Sequence, residues 1–218
     1  IINISIHYII IISQNKSIAI SKIYNTIREY CFMKKLYYYM LGVIAMIISF
    51  VFDRQISIFF TSNKINLLDA IAVFFNGISG YLLFGIILIV LLIAGQKNKL
   101  FPLILAFVLY MGLTSILKII VARPRPFVEL NNSSIENLNA NRSFPSGHAV
   151  STFSLIKFFD FNKILFYSWI VIAVLVSLSR VYLGVHYLSD IIAGALLGCF
   201  IGELSFYLPK KLKNLLKG

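Results

Sequence analysis

The 218-residue chain is poor in acidic residues and in charge overall. Asp and Glu number 8 against 20 Lys and Arg, and charged residues make up 13% of the sequence. Soluble domains usually carry about 25% charged residues. Hydrophobic residues reach 59%, and the mean hydropathy is +0.88. This composition excludes an ordinary soluble domain and predicts an integral membrane protein.

Cysteine is also scarce. Cys31 and Cys199 lie far apart in the sequence and have neither metal-binding nor redox spacing, so we expect no disulfide and no redox site. The Asp, Glu and His residues show no spacing typical of a metal site either. We therefore expect neither a metal ion nor another cofactor.

The formal net charge of +12 raises the question of nucleic-acid binding. The basic residues do not form one polar face. They cluster between apolar segments, which is the distribution that sets membrane topology. The sequence therefore predicts a lipid bilayer as partner, and no nucleic acid.

Six apolar stretches approach the length of about 20 residues that crosses a bilayer as a helix. They are residues 36–52, 79–95, 101–122, 146–160, 163–183 and 188–208. The fourth is the shortest and most polar, so we expect its neighbours to shield it. Backbone groups in lipid need internal partners, so these stretches must be helical. We predict an all-α, polytopic bundle of six transmembrane helices.

The basic residues also predict the orientation. Thirteen of the 20 Lys and Arg residues lie on one side: before the first span, near residues 97–99 and 157–163, and after the last span. The positive-inside rule places that side, with both termini, in the cytoplasm. We therefore expect a multi-pass protein of a bacterial-type inner membrane, with its polar turns facing the periplasm or the exterior.

Three further features fix the expected layout. Met33-Lys34-Lys35 precedes the first span as a natural start does, so we expect residues 1–32 to be an extension outside a membrane domain of residues 33–218. Segment 53–78 is expected to be a connector with a short helix in the membrane interface. Gly194, Gly198 and Gly202 repeat every four residues and predict close helix packing.

The third apolar run contains Lys118 and ends in Ala122-Arg123-Pro124-Arg125-Pro126. Charges near membrane spans are costly and need a reason. The prolines stop the helix, and a turn at Pro124 can bring Lys118 and Arg125 together. The structural alternative is a lysine that reaches the headgroups and arginines that cap a span.

A short polar turn, Pro145-Ser146-Gly147-His148, opens the fourth stretch. Ser, Gly and backbone N–H groups at the start of a helix can hold an anion. A histidine beside them can move a proton near neutral pH.

A second histidine follows the fifth stretch. Arg180 closes that stretch, His186 comes six residues later, and Asp190 lies four residues beyond. On one helical turn, the carboxylate can hold an imidazole nitrogen and stabilise the imidazolium. The alternative is an ordinary interfacial histidine with a capping aspartate.

The topology places all three groups at the outer ends of spans. Three cations, two histidines, a carboxylate and a helix N-terminus then suit a phosphate dianion. One histidine can attack phosphorus while the other protonates the leaving oxygen, and the cations take the place of a metal ion. The residues alone leave open which histidine has which role.

These motifs are recognisable. Lys118 with Arg125-Pro126, Pro145-Ser146-Gly147-His148, and Ser179-Arg180 with His186 and Asp190 resemble the three signature motifs of the type 2 phosphatidic acid phosphatase superfamily. They span residues 118–190, and the six-span layout extends the resemblance over about 36–208.

The resemblance implies a metal-independent membrane lipid phosphatase that works through a phosphohistidine. It makes His186 the nucleophile, Asp190 its orienting carboxylate and His148 the general acid. The implied phosphate-binding residues are Lys118, Arg125, Ser146, Gly147 and Arg180. Arg123 and Arg142 are additional cations, with either a plain loop role or contact to a second anionic group.

The implied substrate is a phosphorylated membrane lipid. Undecaprenyl pyrophosphate and phosphatidylglycerol phosphate are the leading possibilities, and lipid A phosphates are an alternative. The absence of long outer loops predicts that the lipid enters sideways, between helices. Two other readings stay open: a phosphotransferase that passes the phosphoryl group to another lipid, and a membrane transporter that only binds anions.

Overall fold

The computed structural model describes residues 33–77, 80–130 and 142–216, and these ranges are helical, without a strand. The predicted extension, residues 1–32, lies outside the described residues. The chain divides into two compact units, Ile1–Leu41 and Gly42–Gly218, and every contact given below lies within the second.

The α-helices of the described part are numbered in chain order. Their bounds are α1 Met33–Ser62, α2 Asn66–Gly77, α3 Gly80–Ile93, α4 Leu100–Val121, α5 Pro126–Leu130, α6 Gly147–Ser154, α7 Lys163–Tyr182 and α8 Leu188–Leu215. Short 3-10 turns, Lys97–Lys99 and Ile156–Phe159, precede α4 and follow α6.

Among the described residues, four helices are long and apolar enough to span a membrane: α1, α4 with its preceding turn, α7 and α8. A fifth span results if the bent pair α2 and α3 crosses as one. The prediction of an all-helical membrane protein is confirmed, but the number of six spans is not. Stretch 146–160 forms only the eight-residue α6 and a 3-10 turn. Eight residues rise about 12 Å, well short of the ~30 Å hydrocarbon core.

The prediction of a connector at residues 53–78 is wrong for the first part of that segment. Helix α1 continues through Asp53 and Arg54 to Ser62, and α2 follows at Asn66. Asp53 is 2% exposed, and ion pairing satisfies its charge inside the bundle. The sequence alone indicated that this charge ends the span. In the structure the helix continues past it.

The glycine repeat of α8 packs against α6, as predicted. A Cβ placed on Gly194 would lie 2.8 Å from the Ser146 carbonyl oxygen, and one on Gly198 would lie 2.5 Å from that of Val150. Gly202 is equally close to the carbonyl of Ser154. Side chains at these three positions would force the helices apart, so the glycines hold the start of α6 against α8.

The hydrophobic core lies among α3, α4, α6 and α8, and it includes Phe84, Leu103, Val150 and Ile201. Trp169 of α7 donates its indole N–H to the carbonyl of Thr152, 2.9 Å away, which fixes α6 from the other side. Large apolar side chains such as Ile120 and Ile164 face outward. That outer surface suits contact with lipid.

Candidate active site

The chain reverses sharply after α4. Ala122 caps the helix in the left-handed conformation, with φ 48°, and its N–H donates to the Lys118 carbonyl at 3.1 Å. The N–H of Ser143 then donates to the Arg123 carbonyl at 2.8 Å, and its hydroxyl donates to that of Pro124 at 3.0 Å. This docking brings the Lys118–Arg125 segment beside the chain that enters α6.

The start of α6 is fixed to the first turn of α8. The N–H of Ser146 donates to the carbonyl of Asp190 at 3.1 Å. Ser146 is the N-cap of α6 and is fully buried, and Gly147 is the first helical residue. The predicted anion cradle therefore lies next to the predicted His186–Asp190 pair.

The turn between α7 and α8 positions two more predicted site residues. The N–H groups of Val185 and His186 both donate to the carbonyl of Arg180, at 3.1 and 3.2 Å. Gly184 has φ +70°, a conformation that glycine adopts without strain. The carbonyl of Gly184 also accepts a bond from Phe127 of α5, which links this turn to the segment after Arg125.

His186 faces Asp190 across one helical turn. The Nδ1 atom lies 3.5 Å from Oδ2 of Asp190, and both side chains are buried. The backbone N–H of Tyr187 donates to the same Oδ2 at 2.9 Å, so Asp190 also caps the start of α8. Burial lowers the pKa of His186 to about 4; Asp190 opposes this change, and the nearby Arg125 and Arg180 add to it. His186 is therefore neutral at neutral pH.

The remaining predicted residues surround this pair. His148 lies within electrostatic range of Arg125, Arg180 and His186. Lys118 is within range of Arg125, Arg180 and Asp190, and its Nζ donates to the Arg142 carbonyl at 3.0 Å. The structure thus brings all eight predicted site residues to one end of the bundle.

Several buried polar atoms of these residues have no hydrogen-bond partner in the described part of the chain. They are Arg125 Nε, Ser146 Oγ, His148 Nε2 and Arg180 Nε, whereas His186 Nδ1 has its 3.5 Å contact with Asp190. Burial also lowers the pKa of the Arg125 guanidinium. A buried polar group without a partner is costly, so several of them on residues that lie close together point to a missing partner. A small anion supplies several acceptor oxygens at once.

Sequence reasoning missed one part of the site. Arg123, considered for a loop role or a second anion, forms buried ion pairs with Asp53 of α1 and Asp190 of α8. Asp53 itself was assigned to a connector. The available signal was a carboxylate next to an apolar span, a costly placement that needs a partner. Arg142, the other additional cation, supplies its backbone carbonyl to Lys118.

In the part of the chain that the structure describes, no three side chains of His, Cys, Asp or Glu are grouped as metal ligands would be. The donors at the site are mainly cationic or neutral nitrogen atoms and a hydroxyl. Such a set attracts an anion more readily than a cation.

Comparisons with known proteins identify a family and relatives for this chain. The model of the PAP2 superfamily matches residues 99–214, which contain all eight predicted site residues. The undecaprenyl-diphosphatase of Sulfolobus acidocaldarius is 32% identical over 205 residues, covering 85% of this chain and all of that protein. Phosphatidylglycerophosphatase B of Bacillus subtilis is 35% identical over 115 residues, which are 47% of this chain and 54% of that protein. The crystal structure of Aquifex aeolicus LpxE superposes with a TM-score of 0.61 and 31% identity, covering 71% of this chain and 94% of that one.

Proposed function

The chain belongs to the PAP2 superfamily, and we propose that it hydrolyses the phosphomonoester or pyrophosphate of a membrane lipid through a phosphohistidine. One observation carries the proposal. In the described part of the chain, four buried polar atoms without partners, on Arg125, Ser146, His148 and Arg180, belong to residues that lie close to His186, a neutral histidine with its own carboxylate.

His186 is the proposed nucleophile because only its ring is paired with Asp190. An Nδ1–H directed at the carboxylate leaves Nε2 unprotonated and free to attack phosphorus. The N–P bond forms as the bond from phosphorus to the leaving oxygen breaks. Asp190 then stabilises the positive charge that develops on the ring.

His148 is the proposed general acid. Burial and the Arg180 charge lower the pKa of His148, so the ring takes up its proton together with the phosphate group, whose negative charge favours the imidazolium. The imidazolium donates this proton to the leaving oxygen, which departs as a lipid alcohol or a lipid phosphate. In the second step, His148 takes a proton from the water that attacks the phosphohistidine, and inorganic phosphate is released. Arg125, Arg180 and Lys118, with Ser146 and the N–H of Gly147, hold the non-bridging oxygens in both steps.

An apolar groove supports a membrane-embedded substrate. It has a volume of about 780 Å³ and runs between α1 and α8. Its lining includes Ile48, Phe52, Ile56 and Phe59 of α1 and Leu188 and Ile192 of α8. Phe52 and Leu188 directly precede Asp53 and Ser189, whose contact ties α1 to the first turn of α8. We propose that the hydrocarbon chain of the substrate lies in this groove, so that the lipid enters from the bilayer.

The helix directions support an outward-facing site. Lys210, Lys211 and Lys213 lie near the end of α8, and Asp190 lies in its first turn. About 20 residues separate them, which is ~30 Å along a helix. The positive-inside rule then places those lysines in the cytoplasm and the site on the opposite face of a bacterial-type inner membrane. This orientation is tested with variants that carry a single cysteine near Arg125 or near Lys213. Each variant is labelled in intact cells with a membrane-impermeant reagent.

The substrate is tested with purified protein in detergent and a panel of lipid phosphates. The panel contains undecaprenyl pyrophosphate, phosphatidylglycerol phosphate and a lipid A phosphate, and inorganic phosphate is measured. We propose that one of the first two is hydrolysed fastest. The relative that aligns over its whole length is an undecaprenyl-diphosphatase, and one that aligns over 54% of its length is a phosphatidylglycerophosphatase. Phosphorylated lipid acceptor in place of free phosphate would favour a phosphotransferase. Activity that EDTA abolishes and Mg²⁺ restores would contradict a metal-independent reaction.

A further inference from the structure

A buried charge network joins α1 to the carboxylate beside His186. Arg123 is its centre. Its Nη2 donates to Asp53 Oδ2 at 2.9 Å, and its Nη1 donates to Asp190 Oδ1 at 3.0 Å. The same Nη1 lies 2.7 Å from the hydroxyl of Ser189.

Asp53 uses both carboxylate oxygens within this network. Oδ1 accepts a bond from the backbone N–H of Ser189 at 3.0 Å, and Oδ2 accepts from the hydroxyl of Ser189 as well as from Arg123. Asp53 and Ser189 are almost completely buried. The residue before Asp190 is therefore fixed to α1 through its backbone and its side chain.

Two aromatic rings hold the Arg123 guanidinium in place. Its central carbon lies 3.8 Å from the ring centroid of Tyr187 and 4.6 Å from that of Phe50. Tyr187 is itself fixed by a hydrogen bond from its hydroxyl to Glu129 of α5. With two carboxylates, a hydroxyl and two rings around it, Arg123 is committed to this network and does not serve as another phosphate ligand.

We propose that Asp53 and Arg123 are positioning residues that set the orientation and charge of Asp190 for its action on His186. This inference rests on the proposed roles of His186 and Asp190. Arg123 binds Oδ1 of Asp190 and leaves Oδ2 directed at the His186 ring. The carboxylate cannot rotate away without breaking a charge-assisted bond.

Charge balance gives Asp53 a distinct part. Asp53 and Asp190 together with Arg123 carry a net charge of about −1, so one negative charge remains to stabilise the developing imidazolium. Without the Asp53 charge, Arg123 would neutralise Asp190. The nucleophile would then lose electrostatic support although every phosphate ligand stayed in place.

The test compares Asp53→Asn, Arg123→Lys and wild type as purified full-length protein. For Asp53→Asn we expect kcat to fall by about tenfold to a hundredfold. This is the range typical for groups that orient the ligands of a catalytic metal, which also act through another side chain. KM and the inhibition constant of inorganic phosphate should change less than threefold, because Lys118, Arg125 and Arg180 are intact. Arg123→Lys keeps the charge but cannot bridge two carboxylates, so it should show the same split; it carries the test alone if Asp53→Asn does not fold.

A double variant and a control variant complete the experiment. In Asp190→Asn protein, adding Asp53→Asn should lower kcat by less than threefold further, because Asp53 acts through Asp190. Asp160→Asn is the control variant: it breaks the pair of buried Lys99 and exposed Asp160 near the start of α4, about 28 Å along that helix from Lys118, and should leave kcat unchanged.

The outcomes distinguish failure of the proposed function from failure of the positioning role. If the wild-type protein releases no phosphate from any lipid phosphate, the proposed function is wrong. An active wild type with normal kcat in both Asp53→Asn and Arg123→Lys overturns the positioning inference alone. Full additivity with Asp190→Asn, or a loss confined to phosphate affinity, also overturns it.

Discussion

Nδ1 of His186 lies 3.5 Å from Oδ2 of Asp190, four residues further along the chain, and both groups are buried at the first turn of α8. The second oxygen of Asp190 is bound to Arg123. In the part of the chain that the structure describes, this arrangement gives a positioned carboxylate to only one of the two site histidines. The chemical roles proposed above depend on that difference.

Asp190→Asn tests the carboxylate directly. The substitution keeps the size of the side chain and removes its negative charge, so the imidazolium loses its stabilising partner. We expect kcat to fall by about 10³- to 10⁴-fold, as when a triad carboxylate is replaced. Circular dichroism and the thermal midpoint in detergent serve as controls for folding. Turnover within tenfold of wild type would contradict the assigned role.

The two histidines are distinguished by leaving groups of different basicity. A lipid alcohol needs a proton to depart, whereas p-nitrophenolate leaves without one. We therefore expect His148→Ala to lose at least tenfold more kcat with a lipid phosphate than with p-nitrophenyl phosphate. His186→Ala should lose several orders of magnitude with both substrates. The reversed pattern would exchange the two roles, and anion binding without any hydrolysis in wild type would favour a transporter.

The low pKa of His186 predicts a pH dependence of stability. Burial lowers this pKa from 6.5 to about 4, so the folded protein keeps the ring neutral where the unfolded chain takes up a proton. The unfolded state then binds more protons, and stability falls as pH drops from about 6.5 towards 4. Between pH 7 and pH 5 this group alone should cost on the order of 2 kcal/mol.

The measurement is thermal unfolding in detergent at both pH values, for wild type and His186→Gln. The variant lacks the titrating ring, so its midpoint should fall less between pH 7 and pH 5. Equal decreases in the two proteins would mean that His186 has an ordinary pKa.

The apolar groove predicts a substitution that affects only long-chain substrates. Ala45 lines the groove on α1, about 12 Å along the helix from Asp53, and Ala45→Trp should fill it. We expect KM for a long-chain lipid phosphate to rise at least fivefold, with p-nitrophenyl phosphate hydrolysis unchanged. Ile104→Trp, in a second apolar groove between α3 and α4, is the matched control. Equal effects of both variants, or wild-type hydrolysis of soluble esters as fast as of lipids, would argue against entry from the bilayer.

Local patterns in the sequence predicted the helices and motifs because each depends on neighbouring residues. The prolines after Val121 end α4 as expected, and the glycines of α8 pack against α6. The extension of α1 past Asp53 was not predictable in this way. It depends on Arg123, 70 residues later in the chain, which supplies the partner for that carboxylate.

The same limit applies to the site. The three motifs predicted the eight residues that the structure brings to one end of the bundle, because each motif carries its chemistry within a few residues. The role of Arg123 depends on Asp53 and Tyr187, which approach it only in the folded bundle. The span count failed for a related reason: the polar stretch 146–160 forms a short helix that its neighbours cover.

In the proposed mechanism, phosphorus bonds to His186 during turnover. Rapid quenching of wild-type protein with a ³²P-labelled lipid phosphate should yield labelled protein that is stable in base and labile in acid, as a phosphohistidine is. Peptide mapping should place the label on His186, and His186→Ala should remain unlabelled. Label on His148, or full turnover with no labelled protein at any quench time, would contradict this mechanism.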